Sequence, residues 1–226
     1  MKRFLAGTWT ILAKEVRIEL RTKEILVTAG LFGLLVTVLT SLAFFLDDNT
    51  SRRLAPGVLW VAASFAGVLA MGRSWARERE ADAIRGLLLS PIPRASIYAG
   101  KAIGTWVFVM MIDFVLLPVV AILFRVDLSE QLLAVSLILV LGMTGYVAMG
   151  TLFAAMSVRT RARDLMLSVV LFPLASPGLL AGIVATREVL GGAPLDEMFE
   201  WLRILIAFDL VGIVCGLVFF ETLMSD

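Results

Sequence analysis

Six apolar stretches, each long enough to cross a lipid bilayer as a helix, limit what this sequence can fold into. A helix needs about 20 residues to cross the hydrocarbon core. The predicted spans are approximately 25–46, 54–72, 102–124, 132–157, 165–186 and 204–224. With 60% hydrophobic residues, the 226-residue chain contains more apolar surface than one soluble core could bury. The predicted fold class is an all-α, polytopic membrane protein, with residues 1–226 in a single transmembrane domain.

Lysine and arginine are distributed unevenly between the connectors, and this predicts the orientation. One side of the membrane receives the N-terminal segment and the 73–101 and 158–164 connectors, which together carry 15 basic residues. The other side carries only Arg52, Arg53, Arg125, Arg187 and Arg203. Because basic connectors stay in the cytoplasm, both termini and the 73–101 connector are predicted to be cytoplasmic.

Residues 1–24 are predicted to form an amphipathic helix in the membrane interface. Leu5, Trp9, Leu12, Val16 and Leu20 recur at helical spacing, and most of the basic residues lie between them. We expect the segment to be retained, because a signal peptide would place its apolar run closer to the first basic residues. A cytosolic helix packed on a partner is the alternative.

The 73–101 connector is the only long polar segment inside the chain. From Trp75 to Leu89 its pattern predicts a short helix along the membrane surface, ended by the prolines that follow Ser90. Its charged residues are Arg77, Glu78, Arg79, Glu80, Asp82 and Arg85. Such a two-sided helix would suit binding by another protein. A solvated loop whose charges only fix the topology is equally compatible with the pattern.

Two aspartates are predicted to lie inside spans. Asp113 follows Lys101 by 12 residues, which is about 18 Å along a helix and near mid-membrane. A carboxylate there is costly, so it indicates either a function or a hydrogen bond to a neighbouring helix. Asp209 is shallower, and is predicted to pair with Arg203 or with interfacial water.

The fifth span contains both helix breakers and small residues. Pro173 and Pro177 predict a kink, which either adjusts the helix shape or bends it beside a substrate path. Gly178 and Gly182 form a G-x-x-x-G motif, which is typical of close helix packing.

Composition excludes several functions for this chain alone. It has no histidine and only one cysteine, so catalysis, axial haem ligation and a disulfide within the chain are disfavoured. It has no G-x-x-x-x-G-K-[ST] phosphate loop, so any ATP must be hydrolysed by another subunit. A net charge of +1 gives no support for nucleic-acid binding.

Three motifs, in the same order, carry a resemblance to a known family. The segment 53–62, RLAPGVLWVA, holds the signature residues Arg53, Pro56, Gly57 and Trp60. It is followed by LLLSP at 87–91 with IYAGK at 97–101, and by RARDLMLSVVLFP at 161–173. In these motifs the sequence resembles the haem exporter protein B (CcmB) family, the permease subunit of the cytochrome c maturation ABC transporter.

The resemblance implies a permease without enzymatic activity, in the bacterial inner membrane, worked by a separate ATPase subunit (CcmA-like) that binds the ATP. It implies docking of that ATPase through Arg77, Glu78, Glu80, Asp82, Leu87, Leu88, Ser90 and Pro91. It further implies a haem-handling membrane subunit (CcmC-like), a small membrane subunit (CcmD-like) and a haem chaperone (CcmE-like), beside membrane lipid. Haem would be a handled substrate, with no cofactor or metal on this chain. An ABC-2 type export permease for a lipid or drug, and a scaffold without transport, are the alternatives.

Overall fold

A computed structural model describes residues 1–44, 48–80, 83–157, 163–193 and 195–223. Within these residues the chain forms helices and no strand. The helices are α1 (Lys2–Thr22), α2 (Glu24–Ala43), α3 (Asp48–Glu80), α4 (Ala83–Leu89), α5 (Arg94–Leu123), α6 (Leu132–Ser157), α7 (Arg163–Leu190) and α8 (Leu195–Leu223). Six of them, all except α1 and α4, are long and apolar enough to cross a membrane. The predicted all-α, six-span class is confirmed.

The six spans form one bundle in which α3 and α5 contact the most neighbouring helices. Helix α6 packs against α3, α5, α7 and α8, while α5 also packs against α1, α2 and α3. Helix α3 is longer than the predicted 54–72 at both ends, and α5 begins at Arg94 instead of residue 102. The polar segment between them is therefore shorter than the sequence pattern predicts.

The prediction of one surface helix from Trp75 to Leu89 is wrong at its start. Trp75 continues α3, is only 3% exposed, and has its ring centroid 5.8 Å from that of Phe220 in α8. Helix α3 extends to Glu80, and α4 covers Ala83–Leu89; residues 81 and 82 lie outside the described residues. The predicted end is confirmed, because α4 stops before Pro91.

Helix α1 has one face on the bundle and one apolar face free of it. Gly7 and Ile11 are buried against α5, whereas Leu5, Trp9 and Leu20 are mostly exposed. The exposed apolar residues are among those predicted to contact the membrane interface.

Trp60, one of the signature residues, joins α3 to α6 and α7. It is 1% exposed, and its Nε1 donates a hydrogen bond to Thr186 Oγ1 in α7 at 2.9 Å. Its ring lies so close to Gly142 and Gly182 that a Cβ on either glycine would overlap it. The ring of Phe208 in α8 packs against Gly178 in the same way, since a Cβ on Gly178 would lie 2.6 Å from Phe208 Cδ1. The packing predicted for the G-x-x-x-G motif is confirmed.

Helix α7 continues through both of its prolines. Pro177 has no N–H to donate to the carbonyl of Pro173, four residues earlier. The hydroxyl of Ser176 donates to that carbonyl instead, at 2.7 Å. The side chain next to Pro177 thus satisfies one carbonyl that the proline frees, as backbone within the hydrocarbon core requires.

Candidate functional site

Charged side chains, most of them buried or half-buried, join α1 and the start of α2 to the end of α3 and the start of α5, next to α4. We call this group the coupling cluster: it comprises four cations and four anions. They are Lys14, Glu15, Glu19, Glu24, Arg73, Arg77, Glu78 and Lys101. The formal charges cancel, so the cluster can lie among packed helices without an unpaired ion.

Lys101 of α5 is the centre of one half of the coupling cluster. Its side chain is 0% exposed, and Nζ lies 2.9 Å from Glu15 Oε1 of α1 and 3.1 Å from Glu78 Oε1 of α3. The same ammonium donates to the Ser74 carbonyl at 3.2 Å. Lys14 lies 3.2 Å from Glu15 and also pairs with Glu78. Two lysines and two glutamates thus tie three helices together at one point.

Glu19 is the centre of the other half. It is 0% exposed, and its Oε1 accepts a hydrogen bond from the Leu26 N–H at 2.8 Å, in the first turn of α2. Its Oε2 accepts a bond from Arg77 of α3. A carboxylate at a helix N-terminus is favoured by the unpaired N–H groups there. Glu19 therefore fixes the turn at Lys23, where φ is 53°, and attaches that turn to α3.

Glu24 completes this half at its more exposed edge. It lies 3.4 Å from Arg77 Nε and 3.3 Å from Arg73 Nη1. Because Arg73 and Glu24 are both more than a third exposed, this pair contributes little to stability.

Helix α1 contributes two glutamates to the coupling cluster because they lie on the face that packs against the bundle. Glu15 and Glu19 are one helical turn apart, so they lie on the same face as Ile11. Gly100 in α5 lets the two helices approach, because a Cβ there would lie 2.6 Å from Ile11 Cβ. This close approach of α1 and α5 places Glu15 beside Lys101, while Glu19 lies beside Arg77 of α3.

Helix α4 and the link after it form the exposed part of this end. Leu89 is 87% exposed at the end of α4, and Pro91 is exposed as well. Ser90 Oγ donates to the Leu87 carbonyl at 2.6 Å, which closes the last turn of α4. Ile92 then returns to the bundle and packs beside Gly7 of α1. An apolar tip therefore projects from a segment that is attached on both sides to the coupling cluster's helices.

The predicted docking residues fall into different environments. Arg77 and Glu78 belong to the coupling cluster, and Glu78 is 4% exposed, so the predicted surface helix does not include these two residues. The reason is that α3 continues past them and turns both side chains toward α1. Leu87 is half-buried against the core, whereas Ser90 and Pro91 lie in the link.

Three other predicted docking positions lie outside what the structure describes. They are Asp82 and the side chains of Glu80 and Leu88. Docking itself stays a prediction.

Asp113 and Asp209, the two predicted intramembrane carboxylates, differ in their partners. Asp113 in α5 is 1% exposed, and neither oxygen has a hydrogen-bond partner among the described residues. Asp209 in α8 accepts a bond from the backbone N–H of Gly145 in α6 at 2.7 Å. The predicted pairing with Arg203 is wrong, because Asp209 turns into the α6–α8 contact while Arg203 is exposed.

Sequence reasoning missed the anions of α1, the central lysine and the exposed leucine of α4. Glu15, Glu19, Lys101 and Leu89 were not singled out as functional. The sequence does contain a signal for the burial of two of them. Glu15 and Glu19 follow Ile11 at helical spacing, on a face of α1 that carries no lysine or arginine.

Comparisons with known proteins give one consistent result. Residues 6–221 match the family profile described as CcmB protein. The chain is 29% identical over 206 residues to Heme exporter protein B of Bradyrhizobium diazoefficiens, which covers 91% of each chain. It is 28% identical over 201 residues to Heme exporter protein B of Pseudomonas aeruginosa, covering 88% of this chain and 89% of the relative. With Heme exporter protein B of Paracoccus denitrificans it shares 29% identity over 188 residues, covering 83% and 85%.

Proposed function

The chain belongs to the CcmB protein family, and from this membership we propose that it is the membrane permease subunit of an ATP-driven complex that exports haem. The relatives' name, Heme exporter protein B, supports haem as the exported molecule. A separate ATPase subunit supplies the energy, because the sequence has no phosphate-binding loop of its own. Delivery of haem to a chaperone for c-type cytochrome maturation, with a haem-handling and a small membrane subunit, completes the proposal.

The observation that carries the coupling part of this proposal is the position of α4 beside the coupling cluster. A partner that binds the exposed tip at Leu89 pulls on α3 through one end of α4 and on α5 through the other. The coupling cluster ties both of these helices to α1. Movement of α4 is therefore transmitted to three helices as one unit.

The energetics of the cluster favour such a rigid unit. Separating a buried ion pair leaves uncompensated charge, and removing one partner of such a pair costs about 3–5 kcal/mol. Lys101 would lose Glu15, Glu78 and the Ser74 carbonyl together if α5 moved away from α1 and α3. Rotation of the three helices as a body keeps every one of these contacts.

The orientation agrees with this role. Under the positive-inside rule, the excess of basic residues at this end of the bundle supports a cytoplasmic position for α4, on the side where ATP is hydrolysed. We therefore assign both termini and the coupling cluster to the cytoplasmic side of the inner membrane.

Two matched leucines test the docking step. Leu89 in α4 is 87% exposed, and Leu133 at the opposite end of the bundle is 86% exposed. Each is replaced by serine, the chain is co-expressed with its ATP-binding subunit, and co-purification and ATPase activity are measured. We expect Leu89→Ser to reduce recovery of the ATPase several-fold and Leu133→Ser to leave it unchanged. Equal recovery with both variants would contradict docking through α4.

A further inference from the structure

The outer face of α1, which is turned away from the bundle, carries an exposed apolar stripe. Leu5, Trp9 and Leu20 are 59%, 70% and 69% exposed. Leu5 and Trp9 are one helical turn apart, and Leu20 follows Trp9 after about three turns, so the three side chains lie along one line. An apolar stripe that the fold leaves exposed marks a surface that contacts a membrane or another protein.

Three arginines form a row beside this stripe. Arg17 follows Arg3 after about four helical turns, and Arg21 follows Arg17 after one turn, so they share a face of α1. All three are exposed, and none forms an ion pair with a described side chain. Basic residues beside an apolar face that includes Trp and Leu are typical of helices that lie at a membrane surface.

The acidic side chains of α1 do not neutralise this row. Glu15 and Glu19 are the only acidic residues of the helix, and they are 2% and 0% exposed. They face the bundle, where they pair with Lys101 and Arg77 in the coupling cluster. Helix α1 therefore keeps its negative charge on the inner face and its arginines on the outer face.

Acidic side chains elsewhere at this end are too few to neutralise the basic ones. Of the 15 lysines and arginines on the predicted cytoplasmic side, four belong to the coupling cluster, which leaves 11. With the residues outside the described part of the chain included, the same side carries five acids beyond the cluster, namely Glu80, Asp82, Asp164, Glu221 and Asp226. Even if each of these paired with one base, six bases would have no acidic partner on this side of the chain.

We propose that the outer face of α1 binds anionic phospholipids of the cytoplasmic leaflet. The arginines bind the phosphates and the anionic headgroups, while Trp9 and the leucines lie among the upper parts of the acyl chains. The position of α1 favours lipid over an acidic protein, because only Lys23 separates α1 from the membrane span α2. The C-terminal end of α1 is therefore held at the level of the headgroups.

Lipid bound to this face also bears on the coupling cluster. The same helix presents Glu15 to Lys101 and Glu19 to Arg77, so lipid that restrains α1 also restrains these ion pairs. A ligand that binds the folded chain and not the unfolded chain raises the stability of the fold. Anionic lipid should therefore raise Tm.

The test uses the full-length chain in mixed micelles of dodecyl maltoside and lipid. Phosphatidylglycerol is titrated, with phosphatidylcholine in parallel, and Tm at each lipid fraction gives the half-saturating fraction. The proteins are the wild type and Arg3→Gln/Arg17→Gln/Arg21→Gln. The matched control is Arg52→Gln/Arg53→Gln/Arg187→Gln, which removes three exposed arginines from the opposite end of the bundle. Glycerol 3-phosphate, a soluble anion without acyl chains, is titrated separately.

We expect phosphatidylglycerol to raise the Tm of the wild type more than phosphatidylcholine does. Each basic residue near an anionic surface contributes about fivefold in affinity, so the α1 variant should need at least about 10-fold more phosphatidylglycerol. The control should behave as the wild type, and glycerol 3-phosphate should leave Tm unchanged. Without anionic lipid the three proteins should have similar Tm values, because every replaced side chain is exposed.

A second measurement locates the lipid without relying on the arginine variants. Brominated phosphatidylglycerol should quench the fluorescence that the wild type loses in Trp9→Phe, and should do so more than brominated phosphatidylcholine at the same fraction. Equal quenching by the two lipids would overturn the proposal. So would an equal phosphatidylglycerol requirement in the α1 variant and the wild type, an equal shift in both triple variants, or stabilisation by glycerol 3-phosphate.

Discussion

Replacing Lys101 by methionine tests whether the coupling cluster holds α1, α3 and α5 together. The substitution keeps the length of the side chain and removes its charge. Lys101 is 0% exposed and contacts Glu15, Glu78 and the Ser74 carbonyl at 2.9, 3.1 and 3.2 Å. After the substitution Lys14 alone faces the two glutamates, so one buried negative charge is left without compensation.

The magnitude follows from that uncompensated charge. Removing one partner of a buried ion pair costs about 3–5 kcal/mol. For a chain of this size each kcal/mol lowers Tm by about 2–4 °C, so we expect Lys101→Met to lower Tm by roughly 6–20 °C. The assay is thermal unfolding of the purified protein in detergent, followed by intrinsic fluorescence. Trp75 is a suitable reporter, because Lys101 Nζ lies 4.9 Å from its ring centroid.

Two further variants separate charge from packing. Arg73→Gln removes the partly exposed pair with Glu24 and should change stability by at most about 1 kcal/mol. Lys101→Met combined with Glu15→Gln restores the balance of charge, leaving Lys14 with Glu78. This double variant should recover at least half of the decrease in Tm that Lys101→Met causes. A Tm for Lys101→Met within 2 °C of the wild type, or no recovery in the double variant, would refute the reasoning.

Two more predictions concern the membrane-spanning core. Gly182→Ala places a methyl group against the Trp60 ring and should destabilise the protein by about 1–3 kcal/mol. Trp60→Phe removes the ring atoms that this methyl group contacts. In thermal unfolding, the double variant should therefore lose less stability than the sum of the losses in the two single variants. Asp113→Asn should leave Tm unchanged within about 4 °C, because neither carboxylate oxygen accepts a hydrogen bond from a described residue. If Asp113 serves the transport path, the same variant should lower the c-type cytochrome content of cells. A large fall in Tm for Asp113→Asn would show a structural partner instead, and normal cytochrome content with normal Tm would exclude a role in transport.

The spans were predictable because hydropathy alone identifies a helix that lipid surrounds. Stretches such as 132–157 are apolar throughout, and α6 covers the same residues. The ends of α3 and α5 were not predictable in this way. Glu78 and Lys101 look like solvated charges in the sequence. Their burial depends on α1, more than 60 residues away, where Lys14 pairs with Glu78 and Glu15 pairs with Lys101. A local pattern contains no information about that pairing.

The aspartates show the same limit on a smaller scale. The sequence places Asp209 near the only basic residue of its neighbourhood, Arg203, and predicts pairing with that arginine or with interfacial water. In the folded chain the glycine at position 145 brings the backbone of α6 close enough to donate its N–H to Asp209. A backbone donor on another helix leaves no mark in the sequence except the glycine itself.

The two ends of the bundle use charge in opposite ways, and this supports different roles for them. At the α4 end the charges are mostly buried and balanced, and they bind helices to one another. Apolar packing could give the same stability, since buried ion pairs often stabilise no more than hydrophobic residues of equal volume. What the ion pairs add is a defined register between α1, α3 and α5, because each ion must find its partner. At the other end Arg52, Arg53 and Arg187 are exposed and form no ion pair with a described side chain, so no described ion pair of theirs fixes the register between helices. Charge at the α4 end therefore fixes how α1, α3 and α5 lie against one another, which is what a group of helices that moves as one body requires.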